Sequence, residues 1–434
     1  MQEAIDTALE NSYQLQQTRN NVSLAEAEIF SAKADFLPSV NGSFSGTRRI
    51  GQQFDQTTVR FEDITTNTIN GSINANITVF NGFTNILNLR RSNANHSFQK
   101  ENEERLRETV IFNTASSFLQ VVLNQELLTI ALETLEASRS QLEQIRAQVE
   151  VGARPTVDLF NQESVVANDE LSVIQRENAL EFSKTQLSRN MQLERDVEIE
   201  LDVPDTDDLL LMPTDLSLSE MIDLALNNRS DLIAQQFLIE RNENDERITR
   251  AALYPVVTAS GGFNTVYNDQ FRGIVVDPDD PGNIMRVPVS FPDQFFDQNV
   301  NRFIGFNVQI PFFNNWNRRI NLQSSQIAVK NSRLELDNIR FQILEDVRQA
   351  YNDYVSFSKE LESTAKSLAA AERAFETEQQ RYNVGASTLI ELNQANANFV
   401  QAQSNRVQAI YNFIFQEKLL DYFLGQLNSR ITLN

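Results

Sequence analysis

The chain has 434 residues, no Cys, a single histidine (His96), and 59 Asp plus Glu against 37 Lys plus Arg, a formal net charge of −22. These values exclude disulfides and thiolate chemistry and leave no His-built metal site within one chain. They also argue against a nucleic-acid partner, whose phosphates require a basic surface. Gly and Pro are scarce, at 13 and 10, a composition suited to long helices more than to an α/β enzyme. No run of about 18 apolar residues is found, so no transmembrane helix is expected, and a closed β-barrel is the remaining way across a bilayer. A helical pattern is already under way at Met1-Gln2-Glu3, which reads as a mature or trimmed chain.

In chain order, a helix is expected over 2–34, and Pro38 marks the change from helix to strand. Strands are expected over 38–48 and 68–80, with the loop near 51–67 between them. In the second strand Ile69, Gly71, Ile73, Ala75, Ile77 and Val79 share one face, and Asn70, Ser72, Asn74, Asn76 and Thr78 share the other. Val40, Gly42 and Phe44 alternate in the same way with Ser39, Asn41 and Ser43. An apolar face backed by uncharged polar residues over about 10 positions is the pattern of a barrel strand between lipid and water. A long helix over 82–150 has no Pro and no Gly after Gly82, with Leu128, Leu135, Leu142 and Val149 at heptad spacing. At about 1.5 Å per residue it spans roughly 100 Å. The turn Val151-Gly152-Ala153 and a returning helix over 155–190 follow. A collar over 191–216 contains Asp196 to Val203, alternating like a short strand, and an acidic linker between Pro204 and Pro213.

The order then repeats. A helix over 217–250, Pro255, strands over 255–268 and 302–313, a helix over 314–383, the turn Val384-Gly385-Ala386 and a helix over 387–425 are expected. The intervening loop near 269–300, with Asp277-Pro278-Asp279-Asp280-Pro281-Gly282, is the longer of the two loops. Ala8 maps onto Ala225 and Pro38 onto Pro255 at an offset of 217, and Gly152 maps onto Gly385 at an offset of 233. The chain is thus read as two repeats, 1–216 and 217–434. A single strand of this kind also fits a soluble half-buried hairpin, but four matching strands in two repeated hairpins favour the membrane. Four strands cannot enclose a water-filled lumen, since membrane barrels begin at about eight. Oligomerisation follows, and three chains with twelve strands is the simplest closed solution.

This layout, with Val151-Gly152-Ala153-Arg154-Pro155-Thr156-Val157-Asp158-Leu159 and Tyr382-Asn383-Val384-Gly385-Ala386-Ser387-Thr388-Leu389-Ile390-Glu391-Leu392 at equivalent positions, resembles the TolC family of outer-membrane efflux and secretion channels. The resemblance covers essentially the whole chain. It implies an α+β membrane fold, in which a long-helix α-barrel continues into an outer-membrane β-barrel with four strands per protomer and twelve per homotrimer. It also implies a passive exit duct in a Gram-negative outer membrane with a periplasmic helical tunnel. Its partners would be a periplasmic adaptor and an inner-membrane pump of the RND or ABC type, in drug efflux or type I secretion. No cofactor and no enzymatic activity are expected. The alternative is a soluble coiled-coil scaffold without a pore, which leaves the four strands unexplained.

Gly152 and Gly385 suit the left-handed geometry that ends a helix, and Pro155 and Ser387 suit the start of the next one. The family adds adaptor docking at Val151, Gly152, Ala153, Val384, Gly385 and Ala386. Asp158 and Glu391, six residues past each glycine, would form a ring of acidic side chains at a periplasmic gate, together with Tyr382. Their plainer reading is a pair of helix-start carboxylates favoured by the helix dipole. Two positions depart from the family pattern: Gln394 stands where a second acidic residue is expected, and Ser387 where an arginine is. Phe80, Phe83, Phe313 and Trp316 flank the strand-to-helix junctions, where they fit either an aromatic girdle at the periplasmic membrane interface or ordinary packing of the junction.

Overall fold

A computed structural model describes residues 1–55, 59–193, 217–276 and 284–427. In chain order its elements are α1 (Gln2–Asn11), α2 (Tyr13–Ala34), β1 (Ser39–Asp55), β2 (Arg60–Phe80), α3 (Thr84–Glu150), α4 (Thr156–Met191), α5 (Leu218–Asn228) and α6 (Ser230–Ala251). There follow β3 (Val256–Asn268), β4 (Arg272–Val276), β5 (Ile284–Pro288), α7 (Phe291–Asp293), a π-helical turn (Gln294–Gln298), β6 (Asn301–Gln309), α8 (Asn317–Asn383) and α9 (Leu389–Phe423). Two compact units result, each built from both halves of the sequence: Met1–Ser23, Ser97–Phe237 and Arg333–Asn434 in one, Leu24–His96 and Leu238–Ser332 in the other. They cut across the repeats because each repeat sends a hairpin to one unit and a pair of helices to the other.

The strand-bearing unit holds a four-stranded antiparallel sheet in the order β1-β2-β3-β6. Register aligns the alternation across all four strands. Gly42 faces Ile73, Ile73 faces Phe263, Ala75 faces Gly261, and Gly261 faces Ile304, so one face is mostly apolar, interrupted by Thr265 opposite Gly71 and by Arg302, whose guanidinium lies over the Phe263 ring. That face is open, with Ile304, Phe306 and Val308 all exposed. Ser43 and Ser72 join hydroxyls at 2.8 Å on the other face.

Several boundaries differ from the sequence expectation, each for a local reason. β1 and β2 pair out to Asp55 and Arg60, so most of the expected loop 51–67 is strand. Backbone pairing outlasts the alternation there, helped by an edge-to-face contact of Phe54 and Phe61 with centroids 5.4 Å apart. Arg48, Arg49, Glu62 and Asp63 make this end of the hairpin charged. The expected loop 269–300 holds a small sheet of β4 and β5 and the turn-forming segment Phe291–Gln298. The acidic stretch 277–282 lies outside the described residues. β6 stops at Gln309 instead of 313, because Pro311 has no amide hydrogen to pair.

In the helical unit, each expected first helix is broken once, at Ser12 (φ −58°, ψ 108°) and at Arg229 (φ −65°, ψ 118°). The two breaks fall at equivalent repeat positions, and each residue's amide still donates to a carbonyl four back, of Ala8 and Ala225. A hydroxyl at Ser12 starts the new helix by accepting from the Leu15 amide at 3.3 Å. The cores repeat as well. Leu180 and Leu187 with Val121 and Val122 pack beneath α1, while Phe413 and Leu420 with Tyr354 pack beneath α5. α3 contains one 18-residue stretch apolar enough by composition to cross a bilayer, contrary to expectation, but half of it is buried within the protein. Phe118, Leu119, Val121 and Val122 on α3 belong to the helix-packing core, which accounts for that burial. α4 ends at Met191, and the expected collar lies from 194 onward outside the described residues.

Candidate functional site

The two turns joining α3 to α4 and α8 to α9 have the same backbone. Gly152 and Gly385 both take φ +76°. The Gly152 amide donates to the Val149 carbonyl at 2.9 Å, and that of Ala153 to the Gln148 carbonyl at 2.8 Å. The Gly385 and Ala386 amides repeat the pair on Tyr382 and Arg381, at 3.0 and 2.8 Å. Both are Schellman caps, which satisfy the last carbonyls of a 67-residue helix and reverse the chain. Val151 and Val384 are left at the apex, 80% and 79% exposed.

The side chains make the turns chemically different. Asp158 and Glu391 are each the third residue of the returning helix. Glu391 reaches back: its carboxylate accepts from the Thr388 amide at 2.9 Å, while the Thr388 hydroxyl accepts from the Glu391 amide at 3.2 Å. This is a capping box, and Thr388 rather than Ser387 is the cap. Ser387 instead donates to Glu391 at 2.9 Å and pairs with Glu378. In the first copy Pro155 occupies the cap position and offers no side-chain acceptor. Asp158 therefore turns to Arg154, 3.5 Å away, and both are only about one-fifth exposed. The Arg154 guanidinium lies over the Tyr382 ring, 4.4 Å from its centroid. Gln141 donates to the Tyr382 hydroxyl at 3.4 Å.

The structure thus brings Asp158 and Tyr382 together through Arg154, and leaves Glu391 with its own helix end. Burial raises the Tyr382 phenol above its usual range, opposed by Arg154 and reinforced by Asp158. The Thr388 amide, then the Ser387 and Thr388 hydroxyls, hold Glu391 below its ordinary 4.5. A depressed folded-state value means that the Glu391 contribution is fully present above that ordinary value and is lost as pH falls from it through the lower folded-state value. Thr388→Ala is expected to weaken the first turn of α9 by about 1 kcal/mol at neutral pH. Amide exchange of that turn, followed from pH 7 to pH 3, should show the variant changing less with pH than the parent.

Behind the turns, Ile145, Tyr382, Leu389 and Leu392 form a small core. Gln162, 1% exposed, donates to the Ser138 carbonyl at 3.1 Å and accepts from Asn393 at 3.2 Å. The sequence reading missed it, although a signal exists. Val166, Val173, Leu180 and Leu187 recur every seven residues, and Gln162 lies four ahead of Val166 on the same stripe. Gln394, at the position of the expected second acid, is exposed and donates to Asn398 at 3.1 Å. At the strand-to-helix junctions Phe80 meets Phe83 edge-to-face at 5.5 Å, and Phe313 meets Trp316 at 6.4 Å.

Residues 4–191 and 221–426 match the family described as outer membrane efflux protein. Among characterised relatives, the pyoverdine export outer membrane protein OpmQ of Pseudomonas aeruginosa is 23% identical over 310 residues, 69% of this chain and 58% of that protein. This chain thus spans well under two thirds of the length of OpmQ. The outer membrane efflux protein BepC of Brucella suis is 20% identical over 99% of this chain and 85% of its own. The crystal structure of the channel CusC superposes with a TM-score of 0.81 at 18% identity, over 98% of this chain and 91% of that one, a likeness of fold. The duplicated hairpins and helix pairs, the two Schellman turns and the match across both halves lead to one assignment: the chain belongs to the outer membrane efflux protein family, of the TolC type, and resides in the outer membrane of a Gram-negative cell.

Proposed function

We propose that the chain is one protomer of a homotrimeric, passive exit duct serving a tripartite efflux or type I secretion system. The observation that carries this reading is the open sheet. Its edge strands β1 and β6 pair on one side only among the described residues, and one face is mostly apolar, with Ile304, Phe306 and Val308 exposed on it. An unpaired strand edge in hydrocarbon is costly, so edge-to-edge closure with further copies is the economical outcome. Three copies supply twelve strands. The exposed apices at Val151-Gly152-Ala153 and Val384-Gly385-Ala386 are the docking points for a periplasmic adaptor, which connects the duct to an inner-membrane pump of the RND or ABC type.

Asp158 and Glu391 then contribute six carboxylates around the periplasmic entrance, with Arg154 and Tyr382 setting how far each Asp158 projects. Planar-bilayer conductance tests both levels. The purified protein is expected to form discrete cation-preferring channels, and Asp158→Ala/Glu391→Ala is expected to lose most of that preference while still conducting. An absence of channels would overturn the duct; an unchanged preference in the double variant would overturn the acidic ring alone.

A further inference from the structure

The connection from β5 to β6 does not simply arch away from the sheet. Residues 290–299 fold back over its apolar face. Phe295 is 8% exposed and sits on Gly71, where a side-chain carbon would come within 2.7 Å of its ring; the bare glycine is what admits it. Phe44 meets Phe295 edge-to-face at 6.1 Å, and Phe291 stacks on Phe295 at 5.1 Å. Phe296, next in the π-helical turn, is 71% exposed. Between this turn and the sheet lies a cleft of about 450 Å³ walled by Gly42, Phe44, Ile73, Phe263, Phe295 and Phe296.

Irregular backbone tolerates hydrocarbon only when its polar groups are satisfied internally, and here they are tied to the sheet. The Thr265 hydroxyl donates to the Phe295 carbonyl at 2.6 Å, and the Asn299 side-chain Nδ2 to the Val266 carbonyl at 2.7 Å. Gln294, fully buried, accepts from the Asn268 amide at 3.1 Å and donates to the Val289 carbonyl at 2.9 Å. The cleft is continuous with the apolar face that carries Ile304 and Phe306. It lies over β1, β2 and β3, and closure at the β1 and β6 edges would leave its central part uncovered.

We propose that this cleft is a lipid site: it holds the acyl chain of a membrane lipid midway along β1 and β2, beside the ends of β3 and β6 away from the helix junctions, with Phe296 as the flap. The site rests on the reading that the apolar face meets lipid. The test uses Phe296→Trp and, as a reference on the open face, Phe306→Trp, each with Trp316→Phe, which removes the single native tryptophan. The proteins are reconstituted in phosphatidylethanolamine–phosphatidylglycerol vesicles with acyl-brominated lipid or aqueous iodide. Both tryptophans are expected to be quenched by bromine and spared by iodide. Native mass spectrometry of the unaltered protein is expected to show lipid retained after detergent exchange, falling about tenfold in Phe296→Ser through loss of one large apolar side chain. If Phe306→Trp escapes bromine quenching, the membrane face itself is wrong. If Phe306→Trp is quenched by bromine but Phe296→Trp only by iodide, or if Phe296→Ser retains lipid like the parent, the lipid site alone is overturned.

Discussion

Replacing Arg229 with Ala is expected to destabilise the helical unit by about 3 kcal/mol, since it strips the shared cation from a buried ion network. Arg229 occupies the break between α5 and α6 with its side chain 6% exposed, and it bonds Asp231 at 2.5 Å and Asp346 on α8 at 2.9 Å. Burial works against its charge, but the two carboxylates outweigh burial and hold the guanidinium above its ordinary value. Asp231 in turn lies 3.9 Å from Arg105 on α3, and Arg105 bonds Glu108 at 3.0 Å and covers the Tyr422 ring at 4.1 Å. One arginine thus ties the start of α6 to α8 and, through Asp231, to α3. A double-mutant cycle on Arg229 and Asp346, read by denaturant unfolding in detergent, should give a coupling of about 1 kcal/mol or more. A coupling near zero would mean that the packing around the break, not the ion pair, carries the stability.

The second large effect is expected at Gly82, with Gly152 as its contrast. Both take positive φ, +68° and +76°. At Gly152 nothing lies within 4 Å of an added side-chain carbon, so Gly152→Ala should cost only the left-handed conformational penalty, about 1 kcal/mol. At Gly82 the added carbon would come within 2.7 Å of the Ala251 carbonyl oxygen and 3.1 Å of Tyr254. A backbone oxygen cannot step aside cheaply, so Gly82→Ala should cost about 3 kcal/mol or more and cut the yield of folded protein sharply. Equal thermal stabilities for the two variants would show that the junction between β2 and α3 relaxes freely.

The sequence disclosed whatever depends on a repeated local pattern. Period-2 alternation located four strands, because each face of a strand meets one environment. The absence of Pro and Gly announced helices that both reach 67 residues, and paired Gly marked the reversals. It understated the β1–β2 hairpin, whose outer half is held by backbone pairing and carries charged side chains that break the alternation. It also missed the breaks at Ser12 and Arg229. At these positions the helical pattern continues on either side of one residue, and only the dihedral angles of that residue depart.

What the chain's order of residues determined by itself is therefore the duplication, the element types, the two Gly turns and the family. The tertiary structure alone decided which partner each functional side chain takes. Asp158 and Glu391 are equivalent by repeat arithmetic, yet one faces Arg154 and the other caps its own helix. The difference arises because Pro155 gives the first turn no side-chain acceptor, whereas Thr388 gives the second a reciprocal one. Likewise Arg154 meets Tyr382 across 228 residues of sequence, and Phe295 meets Gly71 across 224. Such contacts follow from the register of packed helices and strands, which no local pattern encodes.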